Sequence, residues 1–245
     1  MGLFAAGCGS AFVPPGGPGE PAPDAAPAWT EAIASCRGAR TYSAMLHLGA
    51  AGAHVQTTVT DQGQVFLGAI VGGRPRFTLA GTRDAATLVL HDDRRVVRAP
   101  AGAIVEALIG TAIAPEEWLA FVTGCVTRSH EIEAAARVGG LIRISTREGQ
   151  VYLRRQGGVW RVRGGEVLGL IVDYDWRDSA FPTVLGARSA PGGAVDTRLR
   201  FEAGQFVVNG GVPAVLFAPP PGADAAVPMT LDELREVGPL GRRKG

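Results

Sequence analysis

The residues able to do chemistry are few: three cysteines, four histidines and one acidic cluster in 245 residues. Cys8 ends a run of apolar and small residues, Gly2-Leu3-Phe4-Ala5-Ala6-Gly7. That run resembles the last part of a bacterial lipoprotein signal, in which small residues let a peptidase close around the bond before the cysteine that receives lipid. It is too short to span a bilayer, which takes about 20 apolar residues. No Lys or Arg precedes it, as a complete signal would require. An unstructured terminus that happens to hold a cysteine is the other reading. With Cys8 set aside, Cys36 and Cys125 remain, and a pair in an exported domain reads as one disulfide, with two separate buried thiols as the alternative. Neither sits in CxxC or CxxH spacing, so zinc is not expected. His47, His54, His91 and His130 are scattered and read as surface or turn residues. Asp173-Tyr174-Asp175-Trp176-Arg177-Asp178 alternates acids as a calcium loop does, but lacks its glycine and closing glutamate, and reads as the end of a strand and the polar tip of a hairpin. There is no GxSxG, Walker loop or HExxH. The expectation is a protein without catalytic residues, metal or cofactor.

Composition agrees with a folded chain. The chain is 46% hydrophobic and 19% charged, enough apolar material for a sizeable core. Its net charge of +1 argues against nucleic acid, which calls for clustered Lys and Arg. The one basic cluster, Arg242-Arg243-Lys244, reads as a solvated tail at 241–245. Residues 1–8 form the signal remnant and 9–27, rich in Pro, Gly and Ala, a disordered tether. A single β-rich domain is expected over 28–240.

Within it, Ala28 to Gly38 reads as a helix, with Trp29, Ile33 and Cys36 on one face. A meander of strands follows: Tyr42–Leu48, His54–Thr60, Gln64–Val71, Arg76–Ala80, Ala86–His91 and Arg95–Arg98. Two helices interrupt it, Ala101–Ile109 ending at Gly110, and a second opened by Pro115-Glu116-Glu117 and closed by Gly124. Strands resume at Leu141–Ser145, Gln150–Arg155, Val159–Arg163, Val167–Asp173, Thr183–Ala187 and Asp196–Phe201. Thr230-Leu231-Asp232-Glu233 is a capping box opening a last short helix, Leu231–Val237. Short hairpins imply an antiparallel sheet, with the helical pair covering one face. The expected class is α+β: a curved antiparallel β-sheet covered by a few short helices and preceded by the tether.

Several stretches together resemble the LolB-like outer-membrane lipoproteins of the LolA/LolB superfamily. They are Phe77-Thr78-Leu79-Ala80-Gly81, Leu88-Val89-Leu90, Asp92-Asp93-Arg94-Arg95-Val96, Ile104 to Gly110, Ile113 to Gly124, Phe181-Pro182-Thr183-Val184 and Arg198-Leu199-Arg200-Phe201. The resemblance runs in order over residues 40–210, mostly through common apolar and glycine positions. It implies a half-open barrel with a helical lid around an apolar cavity for acyl chains of lipoproteins or other lipids. Leu108, Trp118, Leu119, Phe121 and Val122 are then the cavity or lid candidates. It also implies cargo received from a soluble periplasmic carrier, attachment through a lipid on Cys8, and a place at the outer membrane facing the periplasm. Ile70 or Val71 matches the apolar loop residue that touches the membrane in that family. Cys36, Cys125, the glycine-rich loop and the longer C-terminal segment depart from the family pattern. They leave open a structural lipoprotein that docks a protein partner and has no lipid cavity.

Overall fold

A computed structural model describes residues 12–48, 53–190 and 198–237. Cys8, the signal remnant and the basic tail lie outside the described residues. The alternating strands pair into one open sheet of 15 strands. The first half is a meander: β2 (Thr41–Leu48), β3 (Ala53–Thr60), β4 (Gln64–Val71), β5 (Arg74–Thr82), β6 (Ala86–Leu90) and β7 (Arg95–Ala99). The second half is another: β8 (Ala134–Val138), β9 (Leu141–Thr146), β10 (Gly149–Gln156), β11 (Val159–Val167), β12 (Leu170–Asp175), β13 (Val184–Ser189) and β14 (Arg198–Val208). The halves join where β14 pairs antiparallel with β2, so the ends of the chain's two meanders meet in mid-sheet. Two-residue strands finish the edges: β1 (Glu20–Pro21) beside β8, and β15 (Val227–Pro228) running parallel to β7. Among the described residues the edges do not pair with each other, so the sheet is a half-open barrel, as the resemblance implied.

One face of this sheet carries the core. Leu79, Leu88, Ile142, Ile144, Leu153, Val162 and Val172 are fully buried on it. Against it pack α1 (Ala25–Ala32), α2 (Ala34–Arg37), α3 (Ala101–Ile109) and α4 (Pro115–Thr123), while α5 (Leu231–Val237) lies on α3 and β7. Gly110 and Gly124 end α3 and α4 with φ of 80° and 85°, the left-handed region in which a side chain is strained. At Gly124 a Cβ would also stand 2.5 Å from the Trp176 ring.

Three expectations are corrected. The expected tether is shorter: from residue 12 onward the segment is packed on the sheet. Phe12 is buried edge-on to Tyr152, Arg143 donates to the carbonyls of Gly17 and Pro18, and Glu20–Pro21 pair with β8. Proline denies a chain helix, but it does not stop that chain lying along a sheet when one aromatic and several arginines hold it. The first helix begins at Ala25 and breaks at Ile33 into α1 and α2. The strand expected at Val167–Asp173 is instead the end of β11, a turn at Leu168-Gly169 with φ of 52° and 71°, and the start of β12. As expected, the acidic run ends a strand and enters a hairpin connection: β12 closes at Asp175 and Arg177-Asp178 turn toward β13, while Trp176 is buried with its indole N–H on the Val162 carbonyl at 2.7 Å. The sequence reading also missed β8, whose Ala-Ala-Ala-Arg-Val shows little alternation and is a strand because β9 pairs with it.

Candidate lipid-binding cavity

Between α3, α4 and the concave face of β3–β5 and β14 lies a cavity of about 80 Å³. Its lining is wholly apolar: Val55, Val65, Leu67, Phe77 and Phe201 from the sheet, Ala101, Val105, Leu108 and Ile109 from α3, and Ile113, Pro115 and Trp118 from the junction and α4. Alternation puts the sheet residues here. Val55 and Phe77 both pair with Ala69 across their ladders, so three neighbouring strands aim short or apolar groups at one spot. Trp118 closes one side. Its indole N–H donates to Thr57 Oγ at 3.0 Å, and its ring meets Phe201 edge-on at 5.8 Å.

The walls are held unequally. α4 is pinned along its length. Glu117 accepts from the Ala114 N–H at 2.6 Å, buried Glu116 pairs with Arg83, and Trp118 bonds Thr57. Beyond its C-terminus a disulfide joins Cys125 to Cys36 with Cα atoms 5.7 Å apart. α3 rests on the sheet chiefly through apolar burial of Ala101, Ile104, Ala107 and Leu108, and its Ala101 N–H donates to the Arg83 carbonyl at 2.9 Å; its Val105 is partly buried against the core. Its outer restraint is α5, through Leu234, which is fully buried, and an Arg235–Glu106 ion pair of 2.6 Å. α5 is itself capped as the sequence signals: Thr230 Oγ accepts from the Glu233 N–H, and Glu233 accepts from the Thr230 N–H at 2.8 Å. The Thr230 N–H and hydroxyl, both donating to it, and Arg95 beside it hold the Glu233 carboxyl below the usual range.

The expected lid residues separate on inspection. Leu108 and Trp118 line the cavity. Leu119 faces a pocket by the disulfide, Val122 a small crevice on the far side with Tyr42 and Leu185, and Phe121 is buried in the core. A helix exposes several faces to a core, and spacing on α4 does not say which of them meets the void. Ile70 and Val71 are the last two residues of β4, before a two-residue turn at Gly72-Gly73; Val71 is exposed and Ile70 half-buried. Lining residues that sequence reasoning missed, Val55, Leu67, Phe77 and Phe201, carry the ordinary alternation of any sheet, with no signal that a void stands above them.

The histidines are less scattered in space than in sequence. His47 and His54 oppose each other on β2 and β3, their Nδ1 atoms 2.9 Å apart. His130 lies beside the disulfide, its Nε2 3.7 Å from Cys125 Sγ, and burial lowers its pKa. Burial raises the Tyr174 phenol, whose hydroxyl is buried without a hydrogen-bond partner among the described residues.

No family model matches the chain, and no curated protein matches it. Solved structures align with it at low similarity. An uncharacterized conserved protein from Thermus thermophilus aligns at 10% identity and a TM-score of 0.38, over 84% of this chain and 99% of that one. The Mycobacterium tuberculosis lipoprotein LppX aligns at 9% identity and 0.35, over 79% and 99%. LprF from Mycobacterium bovis aligns at 16% identity and 0.35, over 80% and 98%. Likeness at these scores transfers no function to this chain.

Proposed function

We propose that this chain is a non-enzymatic, lipid-anchored protein of the bacterial cell envelope that takes acyl chains into the cavity under α3 and passes them on. The observation that carries this reading is a wholly apolar void between the sheet and α3. Burial of alkyl chain supplies affinity at about 0.8 kcal/mol per methylene. At about 80 Å³ the void is roughly half the ~150 Å³ that admits benzene, so it corresponds to a closed state. Loading requires α3 to lift, turning at Gly110 and parting from α5, while α4 and the disulfide keep the other wall in place. In the finer form of the proposal, Cys8 carries the anchoring lipid, the site is the outer membrane facing the periplasm, and a soluble periplasmic carrier hands over acylated protein. Val71, with Ile70 behind it, is then the apolar turn that meets the bilayer. Among the described residues no helix is long and apolar enough to cross a membrane, so in this reading attachment falls to Cys8.

The small volume also favours a second reading, a solidly packed scaffold that docks a protein. Native mass spectrometry of the full chain with added fatty acid and lysophospholipid separates the two, with the Trp118 emission followed against Trp118→Phe. Retention of one acyl ligand per chain with a change in the Trp118 signal is expected. A clean unliganded mass with unchanged emission would establish the scaffold.

A further inference from the structure

The face of the sheet opposite the cavity has its own polar cleft, of about 370 Å³, on β10–β14. Arg154, Arg155, Arg163 and Arg200 line it with Asp173 and Asp175. Asp173 is committed to Arg163 at 3.7 Å, and Asp175 accepts the Arg177 backbone N–H. Arg154 and Arg200 hold no ion pair among the described residues, so the cleft presents uncompensated positive charge.

The N-terminal segment crosses this same face. Phe12 lies flat on Gly164, where a Cβ would stand 2.6 Å from its ring, and the Arg163 guanidinium sits 5.4 Å above that ring. Arg188 donates to the Phe12 carbonyl at 3.0 Å. Cys8 stands four residues before Phe12. Four residues reach at most about 14 Å when fully extended. A lipid on Cys8 therefore holds Phe12, with Arg163 and Arg188 against it on the arginine face, within about that distance of the bilayer surface, near one to two Debye lengths at physiological salt.

We infer that the Arg154–Arg200 cleft docks on the anionic phosphodiester headgroups of the membrane that holds the anchor. Docked in this way, the lid helices face away from the bilayer, toward a soluble carrier, with the β4–β5 turn at the rim of the sheet. The inference rests on Cys8 being the anchor, as proposed above.

The test uses the full chain as Cys8→Ser, unlipidated, sedimented with vesicles of phosphatidylcholine alone or of phosphatidylcholine and phosphatidylglycerol in equal parts. Salt-sensitive binding to the mixed vesicles only is expected. Arg154→Gln and Arg200→Gln should each weaken it about fivefold, the equivalent of about 1 kcal/mol per basic residue near an anionic surface. Arg37→Gln, on α2 at the helical side, should leave it unchanged. No binding to mixed vesicles, or equal loss in all three variants, overturns the inference. Displacement by inorganic phosphate well beyond that by chloride at equal ionic strength overturns it in favour of a free-anion site. Acyl uptake is read on the same variants by native mass spectrometry, so failure of the docking surface and failure of the cavity are told apart.

Discussion

Ala101→Leu is the sharpest test of the cavity. Ala101 is 1% exposed, sits in the first turn of α3, and lines the void. Leucine adds three carbons to a space of about 80 Å³. Where they fit, the free protein gains up to about 2 kcal/mol of apolar burial; where they strain the packing, the cost is about 1–3 kcal/mol. The sign of the Tm change therefore reports how well the closed cavity accommodates a guest of that size. Binding responds differently. The added carbons occupy room that about three methylenes of a ligand would use, which removes about 2.4 kcal/mol of transfer energy, or roughly 60-fold in Kd. A displacement titration with a fluorescent fatty acid measures that ratio, and Ala112→Leu, outside the lining, serves as the control. A folded Ala101→Leu protein that binds acyl chain with unchanged Kd would refute the assignment of the cavity as the binding site.

The disulfide closes a sequence separation of 89 residues. Chain-entropy arguments put its contribution at about 4–5 kcal/mol, so Cys36→Ser with Cys125→Ser should lower the denaturant midpoint by that equivalent at constant slope. Leu234→Ala removes the fully buried contact of α5 and costs about 2–5 kcal/mol locally. Hydrogen exchange should then accelerate in α5 and α3 but not in α4, and acyl uptake should become faster. His130 has a lowered pKa in the folded state, so the unfolded chain binds more protons between the folded value and about 6.5. Its contribution to stability is thus complete above about pH 6.5 and declines as pH falls through the folded value. A Tm series between about pH 7.5 and 5 should slope downward with acid, and less so in His130→Asn.

The sequence by itself carried the local signals. Period-two alternation from Tyr42 to Arg98 marked a meander because half of each strand must meet the core and half the solvent. Gly110 and Gly124 marked the ends of α3 and α4 because only glycine takes the left-handed cap without strain, and Thr230 with Glu233 marked the start of α5 by reciprocal hydrogen bonds. The spare pair of cysteines pointed to the link that the structure makes between α2 and the end of α4. What depends on residues distant in the chain was decided only by tertiary structure. β8 is a strand because β9 lies beside it, and the proline-rich segment from Phe12 is ordered because Gly164 leaves room for its ring and Arg188 holds its carbonyl. Whether Trp118 or Phe121 faces the void depends on the rotation of α4, which Thr57 and the disulfide set from 61 and 89 residues away. The arginine cleft likewise joins residues from β10, β11 and β14 that no local pattern relates. Periodicity records which side of an element is apolar. A cavity and a charged face arise where several such sides converge, and that convergence is a property of the folded chain.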